Sequence, residues 1–517
     1  MSSGAASAGA ERAPRRRLTF PSAVTTLAIV TVLVWAAALF IPAGAYDLAP
    51  DGSPIPGTYR QVPSPLTFGD RLQQLVLAPI NGTYGLQNGA GVVDTETTGR
   101  MFGQIGVIVF IMSIGAFIAV SFSTRSLEVA VGALANRLRT KGWLLIAAVM
   151  VLFSLLGSTM GFSVETLGFY ALFLPLMAAL GYDRMVTASM IILSALVGVM
   201  GSTVNPFSIG VAAGEARVSL GDGIGLRLLL WLVLTSMAIG WVLRYAARVR
   251  RDPTRSVVGW DDPTVTDDPT LDGAGKSREL SNTQRWVLVI TAAAFALMIF
   301  SVIPWSSIFG SSTGPADDQV RHATATAPYW FELGWWFPQL AMLFVVASIL
   351  VGLVARIKET ELVRLIATGA AGMMGPAIVV LLAGGVSVIM TNTQTLATIL
   401  NSMEHLVSGA SSGVFAIVTV LVNVPLAFLI PSSSGHATLA MPLLAPLSDF
   451  AGVGRATTIT AWVMGHGLTL MASPTSVVLV GGLAIARVGY DTYLRFVWPL
   501  LAGLLVVACT VVALAAA

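Results

Sequence analysis

GSTMGFSVETLGFYALFLPLMAALGYDR at 157–184 and PSSSGHATLAMPLLAPLSDFAGVGR at 431–455 follow one pattern, and their relation decides the fold. Each sets a small polar cluster ahead of an apolar run and closes on Gly-x-x-Arg. A helix-length segment follows, then a second polar cluster, GSTVNPFSIG at 201–210 and ASPTSVVLVG at 472–481, then Arg-Val at 217–218 and 487–488. Pro175 and Pro446, Gly181 and Gly452, Arg184 and Arg455, and Ser202 and Ser473 are all separated by the same 271 residues. Self-similarity at a fixed offset is the signature of an internal repeat.

The rest of the chain says what medium the repeat lives in. Of 517 residues, 55% are hydrophobic and 11% charged, with a mean hydropathy of +0.80. That is too little charge to cover a water-soluble surface of this size, so the chain reads as an all-α polytopic membrane protein. The net charge of +3 gives no reason to expect a nucleic-acid partner. The single cysteine, Cys509, excludes an internal disulfide framework. Apolar stretches of spanning length, about 20 residues, occur at 22–42, 103–122, 185–217, 225–245, 286–304, 336–355, 371–391, 455–487 and 494–515. The first is too long for a signal-peptide core and reads as an uncleaved span. Residues 46–100 read as one long loop, 250–285 as a solvated linker, and 305–332 as another polar loop. The organisation expected is a tail at 1–21, a first repeat at 22–249, the linker, an extra span at 286–304, and a second repeat at 336–517. Arg and Lys cluster on one side under alternating spans, at 12–17, 137–141, 184, 244–251, 356–358 and 487, which places the N-terminus in the cytoplasm.

With that count the span at 103–122 and its counterpart at 371–391 cross in opposite directions, so the two repeats are expected to have inverted topology. Each repeat then holds two further features. In the first, 143–181 reads as a re-entrant hairpin whose leading leg, 143–156, reaches about 21 Å, short of a hydrocarbon core of roughly 30 Å. Its mirror is 412–452. Two full spans would return the chain to the same side, and leg length favours hairpins. After each hairpin comes a broken helix, 185–217 and 455–487, interrupted at Gly201–Pro206 and Ala472–Ser476. Proline there frees carbonyls in mid-membrane, which survive only where they are buried in protein or line a polar cavity.

These breaks and tips supply the candidate site. Ser158, Thr159, Ser202, Thr203, Asn205, Ser432, Ser433, Ser434, Ser473, Thr475 and Ser476 offer hydroxyls and an amide beside helix ends, whose N-termini suit anions and whose freed carbonyls suit cations. Kinking alone would also explain such residues; their matched positions in two repeats favour a site. Glu165, just past the first tip, is either a ligand for an ammonium, proton or cation, or a cap for the second leg. His436 and His466 either carry a coupling proton or make structural contacts between helices. Asp183 and Asp449 read as caps. No metal cluster is expected beyond Na⁺ at the Ser202–Asn205 and Ser473–Ser476 breaks, and no cofactor beyond Na⁺ or H⁺ as coupling ion. A Walker-type loop is missing, and so is a nucleophile–base set, so neither an ATP-driven pump nor an enzyme is expected.

GSTMGFSVETLGFYALFLPL, GYDRMVTASMI, GSTVNPFSIGVAAGEA, IPSSSGHATLAMPLLAPLSDFAGVGR, SPTS and IARVGYDTYLRFVWPLL together resemble the YfcC-like, C4-dicarboxylate anaerobic carrier family of the broader ion transporter superfamily. The resemblance covers nearly the whole chain. It implies an elevator-type secondary transporter in the bacterial inner membrane, a homodimer of scaffold and mobile domains. It also implies a small carboxylate-bearing substrate, either a C4-dicarboxylate or a basic amino acid in exchange. By position it assigns binding to the Ser, Thr and Asn residues named above, with Glu165 at an acidic position. Where relatives tend to have Gly-Asp-Gly and an Asn, this chain has Gly465-His466-Gly467 and Leu470, which sets Na⁺ coupling at the second break against proton coupling. A channel is the rival from another class.

Overall fold

The computed structural model describes residues 23–47, 54–84, 105–138, 140–259, 280–303, 305, 309, 329–407 and 411–517. The expected tail at 1–21, the linker core and most of the 305–332 loop lie outside them. In chain order the helices are α1 Ala23–Ala37, α2 Phe68–Tyr84, α3 Ile105–Ser123, α4 Ser126–Arg137, α5 Gly142–Met160, α6 Tyr170–Ala179, α7 Arg184–Met200, α8 Val211–Ala216, α9 Ile224–Arg251 and α10 Asn282–Val302. They continue as α11 Phe337–Val354, α12 Glu359–Gly372, α13 Met374–Asn392, α14 Thr395–Val407, α15 Ser412–Leu429, α16 Ser433–Phe450, α17 Arg455–Leu470, α18 Val477–Ile485 and α19 Tyr490–Ala516. A two-residue ladder, β1 Gly44–Ala45 with β2 Arg60–Gln61, pins the loop after α1. Among the described residues, eight helices are long and apolar enough to cross a membrane: α3, α5, α9, α10, α11, α13, α15 and α19.

The recurrence seen in the sequence extends to the backbone. The order long helix, short helix, long helix, turn, helix, buried helix, break, short helix, long helix runs from α3 to α9 and again from α13 to α19. Left-handed residues join the elements at matching places: Arg125 and Gln394, Gly181 and Gly452, Arg217 and Arg487. Three of these pairs' six residues are arginines, where a left-handed backbone is uncommon, so the joints are held by their context rather than by propensity. Packing repeats as well. In the first unit α5, α7 and α9 pack on one another; in the second α15, α17 and α19 do.

The two units interlock through their centres. Helices α7 and α17 are buried along nearly their whole lengths and pack together. Gly467 on α17 sits against the backbone of Met200 on α7, and Gly465 against the Val420 carbonyl on α15; a Cβ at either place would collide with main chain. The two glycines thus let α17 touch both neighbours at once. The segments after the turns and breaks are exchanged: α16 of the second unit packs on α8 of the first, and α18 on α7 and the Val164–Phe169 turn. A second group, α1, α2, α3, α10, α11, α12 and α13, packs mainly within itself and meets the interlocked core where α13 touches α16 and α3 touches the Pro206–Gly210 turn.

Two expectations are corrected. The leading leg of the first turn does not stop at 156: α5 runs through Gly157, Ser158 and Thr159 to Met160, 19 residues, and ends on left-handed Gly161. At 1.5 Å per residue that is about 28 Å, so leg length no longer separates a hairpin from a span. Side-chain bonding explains it, since Thr159 Oγ1 donates to the Leu155 carbonyl within the helix at 2.8 Å and keeps the last turn formed. The stretch 46–100 is not one loop. Thr67 and Asp70 exchange hydrogen bonds at the start of α2, 17 residues long, whose Pro79 lies against Gly385 of α13. That reciprocal cap is the local signal for a helix start.

Candidate functional site: two interrupted helices

At the first break α7 ends at Met200 and the chain crosses Gly201–Asn205 before the Pro206–Gly210 turn leads into α8. Ser158 of α5 fills the gap. Its Oγ donates to the Gly201 carbonyl at 2.8 Å and accepts Thr203 N–H at 3.1 Å, while Thr203 Oγ1 donates to the Ser158 carbonyl at 3.3 Å. Ser202 Oγ donates to the Val199 carbonyl at 2.6 Å and accepts from Asn205 Nδ2 and Ser208 Oγ, both at 3.1 Å. That uses a hydroxyl's full capacity. Asn205 Oδ1 accepts Phe207 N–H and caps the following turn. Ser158, Ser202, Thr203, Asn205 and Ser208 are all buried. The groups freed by the break are therefore closed on one another in this state.

Sequence reading missed one member of this cluster. Arg227, near the start of α9 and 1% exposed, donates from Nε to the Thr203 carbonyl at 2.9 Å and from a terminal amine to the Leu220 carbonyl at 2.7 Å. The signal was available: IGLRLLLWLVL at 224–234 holds one arginine in an apolar run, and an ionisable residue at such a place is rarely idle.

The second break is built differently. Met471 and Ala472 present carbonyls that accept from Tyr493 and Tyr490 of α19, so neutral phenols stand where the first unit uses a guanidinium. Ser473 Oγ and Thr475 Oγ1 lie 2.7 Å apart, Thr475 reaches the Phe428 carbonyl at 3.5 Å, and Ser476 Oγ accepts Leu479 N–H to cap α18. Pro474 is exposed and Thr475 half-buried. Beside it the turn between α15 and α16 carries Ser432, whose Oγ accepts Gly435 N–H and caps α16 and lies 3.3 Å from Ser434 Oγ. Ser432 and Ser433 are half-buried. This break is thus the more open of the two; it leads into the N-terminus of α18, and the adjoining turn into that of α16.

His466 lies toward the C-terminal end of α17 with no exposed surface. Its Nε2 lies 3.0 Å from Ser433 Oγ and its Nδ1 3.0 Å from His436 Nδ1. Trp462 stacks on His466 at 5.6 Å between ring centroids and meets His436 edge-on at 5.4 Å. Two residues 30 apart in sequence are thus one unit.

Glu165 stands apart from both clusters. It is exposed, and its Oε2 accepts Ser163 N–H at 3.1 Å, the capping arrangement. Thr159 turns back into its own helix. Asp183 is the N-cap of α7, accepting Val186 N–H, and also accepts from Tyr245 and Ser256 hydroxyls. Asp449 is no cap: it pairs with Arg455 at 2.6 Å, and Arg455 also donates to the Ala216 carbonyl at the end of α8, tying the second unit to the first.

The family model for the C4-dicarboxylate anaerobic carrier, DcuC, matches residues 20–517. The chain belongs to that family. A putative basic amino acid antiporter of Escherichia coli, YfcC, is 27% identical over 544 residues, covering 99% of both chains. An uncharacterized protein of Haemophilus influenzae is 27% identical over 518 residues, 95% of this chain and 96% of that one. Among solved structures, the YdaH transporter of Alcanivorax borkumensis superposes with a TM-score of 0.66 at 15% identity, over 96% of this chain and 98% of that one. MtrF of Neisseria gonorrhoeae, from a class of antimetabolite efflux pumps, gives 0.60 at 16% identity over 96% and 95%. These two share the fold. The chain is a multi-span membrane protein of a transporter family.

Proposed function

We propose that the protein is a secondary active carrier for a small carboxylate-bearing metabolite, bound at the second break and the adjoining turn. The observation that carries this reading is the group of half-buried Ser432, Ser433 and Thr475 with buried Ser473, in the turn and the break that lead into the capped N-termini of α16 and α18. Backbone N–H groups at a helix start, backed by hydroxyls, suit a carboxylate. The first break is the matching element in the other unit, closed in this state; opening it would present Ser202, Thr203 and Asn205 to the opposite side. In this reading the two units are inverted repeats, with the N-terminus cytoplasmic in a bacterial inner membrane. The α5–α6 and α15–α16 pairs act as hairpins that travel with the breaks, elevator-fashion, against the group around α3 and α13. A homodimer with its scaffold in lipid, and coupling to Na⁺ or H⁺ or to exchange, complete the proposal.

C4-dicarboxylate and basic amino acid both satisfy the carboxylate requirement. The position of Glu165 favours the former, because its exposed, capping carboxylate offers no buried partner for an ammonium. The test is radiolabelled uptake into proteoliposomes, comparing succinate with arginine and ornithine under imposed Na⁺ and pH gradients. Saturable uptake of either class supports the carrier. Uptake of arginine abolished by Glu165→Gln would overturn the dicarboxylate preference, and no uptake of any probe would overturn the substrate class.

A further inference from the structure

We propose that His436 and His466, reached through Ser433, form a one-proton carrier whose loading and unloading couples transport to a proton gradient. The proposal deepens the carrier reading above and rests on it. Three observations lead here. The two imidazoles face each other through Nδ1 at 3.0 Å, a distance that requires one hydrogen between them. His466 Nε2 contacts Ser433 Oγ at 3.0 Å, and Ser433 belongs to the half-buried turn. His436 Nε2, at the far end, is buried without a partner, in a residue 1% exposed. A buried imidazole nitrogen with nothing to bond is costly unless it serves a purpose.

Proton counting fixes what the pair can do. With two protons, each imidazole is neutral. Either His466 Nδ1–H donates to His436 and its Nε2 accepts the Ser433 hydroxyl, or His436 Nδ1–H donates to His466 and His466 Nε2–H donates to Ser433. A third proton enters when the Ser433 hydroxyl passes its hydrogen to His466 Nε2 and takes another from water on its outer side. The added charge is then shared through the Nδ1 contact, since that hydrogen can sit on either ring. His436 Nε2–H, the shared hydrogen and His466 Nε2–H make three. A fourth would set two N–H groups face to face across 3.0 Å, so the pair holds one extra proton and no more. Discharge reverses the steps through Ser433. Stacked Trp462 excludes water from one face of His466 while its ring electrons tolerate a cation.

The surroundings fit a proton better than a metal or a simple ion pair. Among the described residues no group of three His, Cys, Asp or Glu side chains comes together. The elements packed against α16 and α17 carry Arg184 on α7, Glu215 on α8, Arg227, Arg244, Tyr245, Arg248, Arg250 and Arg251 on α9, Glu404 and His405 on α14, and Tyr490, Asp491, Tyr493, Arg495 and Cys509 on α19. Several are engaged elsewhere: Arg227 on Thr203 and Leu220, Glu404 on Tyr46 and Gly57, and the Asp449–Arg455 pair of α16 and α17 on each other.

Two experiments on the full chain test this. In nanodiscs with ¹⁵N-labelled imidazoles, two of the four histidines should take up one proton jointly as the pH is lowered, and His436→Gln should shift the resonances of His466. Two independent titrations, or none, would overturn the pair. In proteoliposomes with labelled succinate or arginine and a pH-sensitive dye inside, a one-unit pH gradient should sustain about ten-fold accumulation at one proton per substrate. His466→Gln and His436→Gln should lose that accumulation and flatten its pH profile, and Ser433→Ala should slow the proton flux. Gradient-driven accumulation kept by either histidine variant would overturn the coupling role. Joint one-proton uptake with no transport of either probe would overturn the substrate reading and leave the proton site standing.

Discussion

Replacing Arg227 by leucine removes the guanidinium that closes the first break. The side chain is 1% exposed and donates two hydrogen bonds, at 2.9 Å to Thr203 and 2.7 Å to Leu220, and both carbonyls become unsatisfied when it goes. Each buried group left unpaired costs about 1–3 kcal/mol, so the two carbonyls together come to about 2–6 kcal/mol. Arg227→Lys keeps the charge but cannot hold both carbonyls with one planar fork, so about 1–2 kcal/mol is expected. The second break gives an internal reference, because Tyr493→Phe removes one neutral hydrogen bond to the Met471 carbonyl, worth about 1 kcal/mol. Melting of the purified chain in detergent should therefore fall in the order Arg227→Leu, Arg227→Lys, Tyr493→Phe, with the first lower by roughly 5 °C or more at about 2 °C per kcal/mol. An Arg227→Leu variant that melts with the wild type would refute the idea that the guanidinium supports the break.

Gly467→Ala would drive a methyl into the Met200 backbone and should cost about 1–3 kcal/mol and most of the folded yield, whereas Gly168→Ala, with open space around it, should behave as wild type; size-exclusion profiles compare them. Glu165→Gln should change uptake by less than about three-fold, since an exposed cap contributes little; a larger rise in KM would return Glu165 to the site. Asp252 caps the turn after α9, and its hydrogen bonds from Thr254, with Arg255 beside it, hold its carboxyl below the usual 3.8. A depressed folded value means the cap stabilises above pH 3.8 and is lost as pH falls through the lower folded value. The protection of the Thr254 amide, its exchange rate relative to the intrinsic rate at the same pH, should fall only in that acid range, and a fall near neutrality would contradict it.

Much of this architecture was legible because the repeat is written in residues that backbone geometry demands. Pro, Gly and Arg recur at one offset, and the two helix interruptions fall where Ser, Thr and Pro cluster. Ends of helices were less legible. The glycine at 157 suggested a turn, yet Ser158 and Thr159 are placed inside α5, because Ser158 is needed at the break opposite and Thr159 bonds within its own turn. Long-range pairing was invisible from spacing alone. His436 and His466 were separate candidates, and only the packing of α16 on α17 makes them a pair. Arg227 was passed over as one of many arginines, although its apolar neighbours marked it as different. For Glu165 the sequence left a ligand and a cap side by side, and the fold shows an exposed carboxylate that accepts Ser163 N–H.

The central claim is that a substrate is carried at paired interrupted helices. Counterflow tests it most directly: proteoliposomes loaded with unlabelled succinate or arginine, then given the labelled form outside, for the wild type and for Ser473→Ala and Ser202→Ala. The account predicts uptake accelerated by internal substrate, with both variants raising KM or slowing exchange. Unsaturable flux indifferent to internal substrate would indicate a channel, and trans-stimulation untouched by either serine would remove the breaks from the transport site.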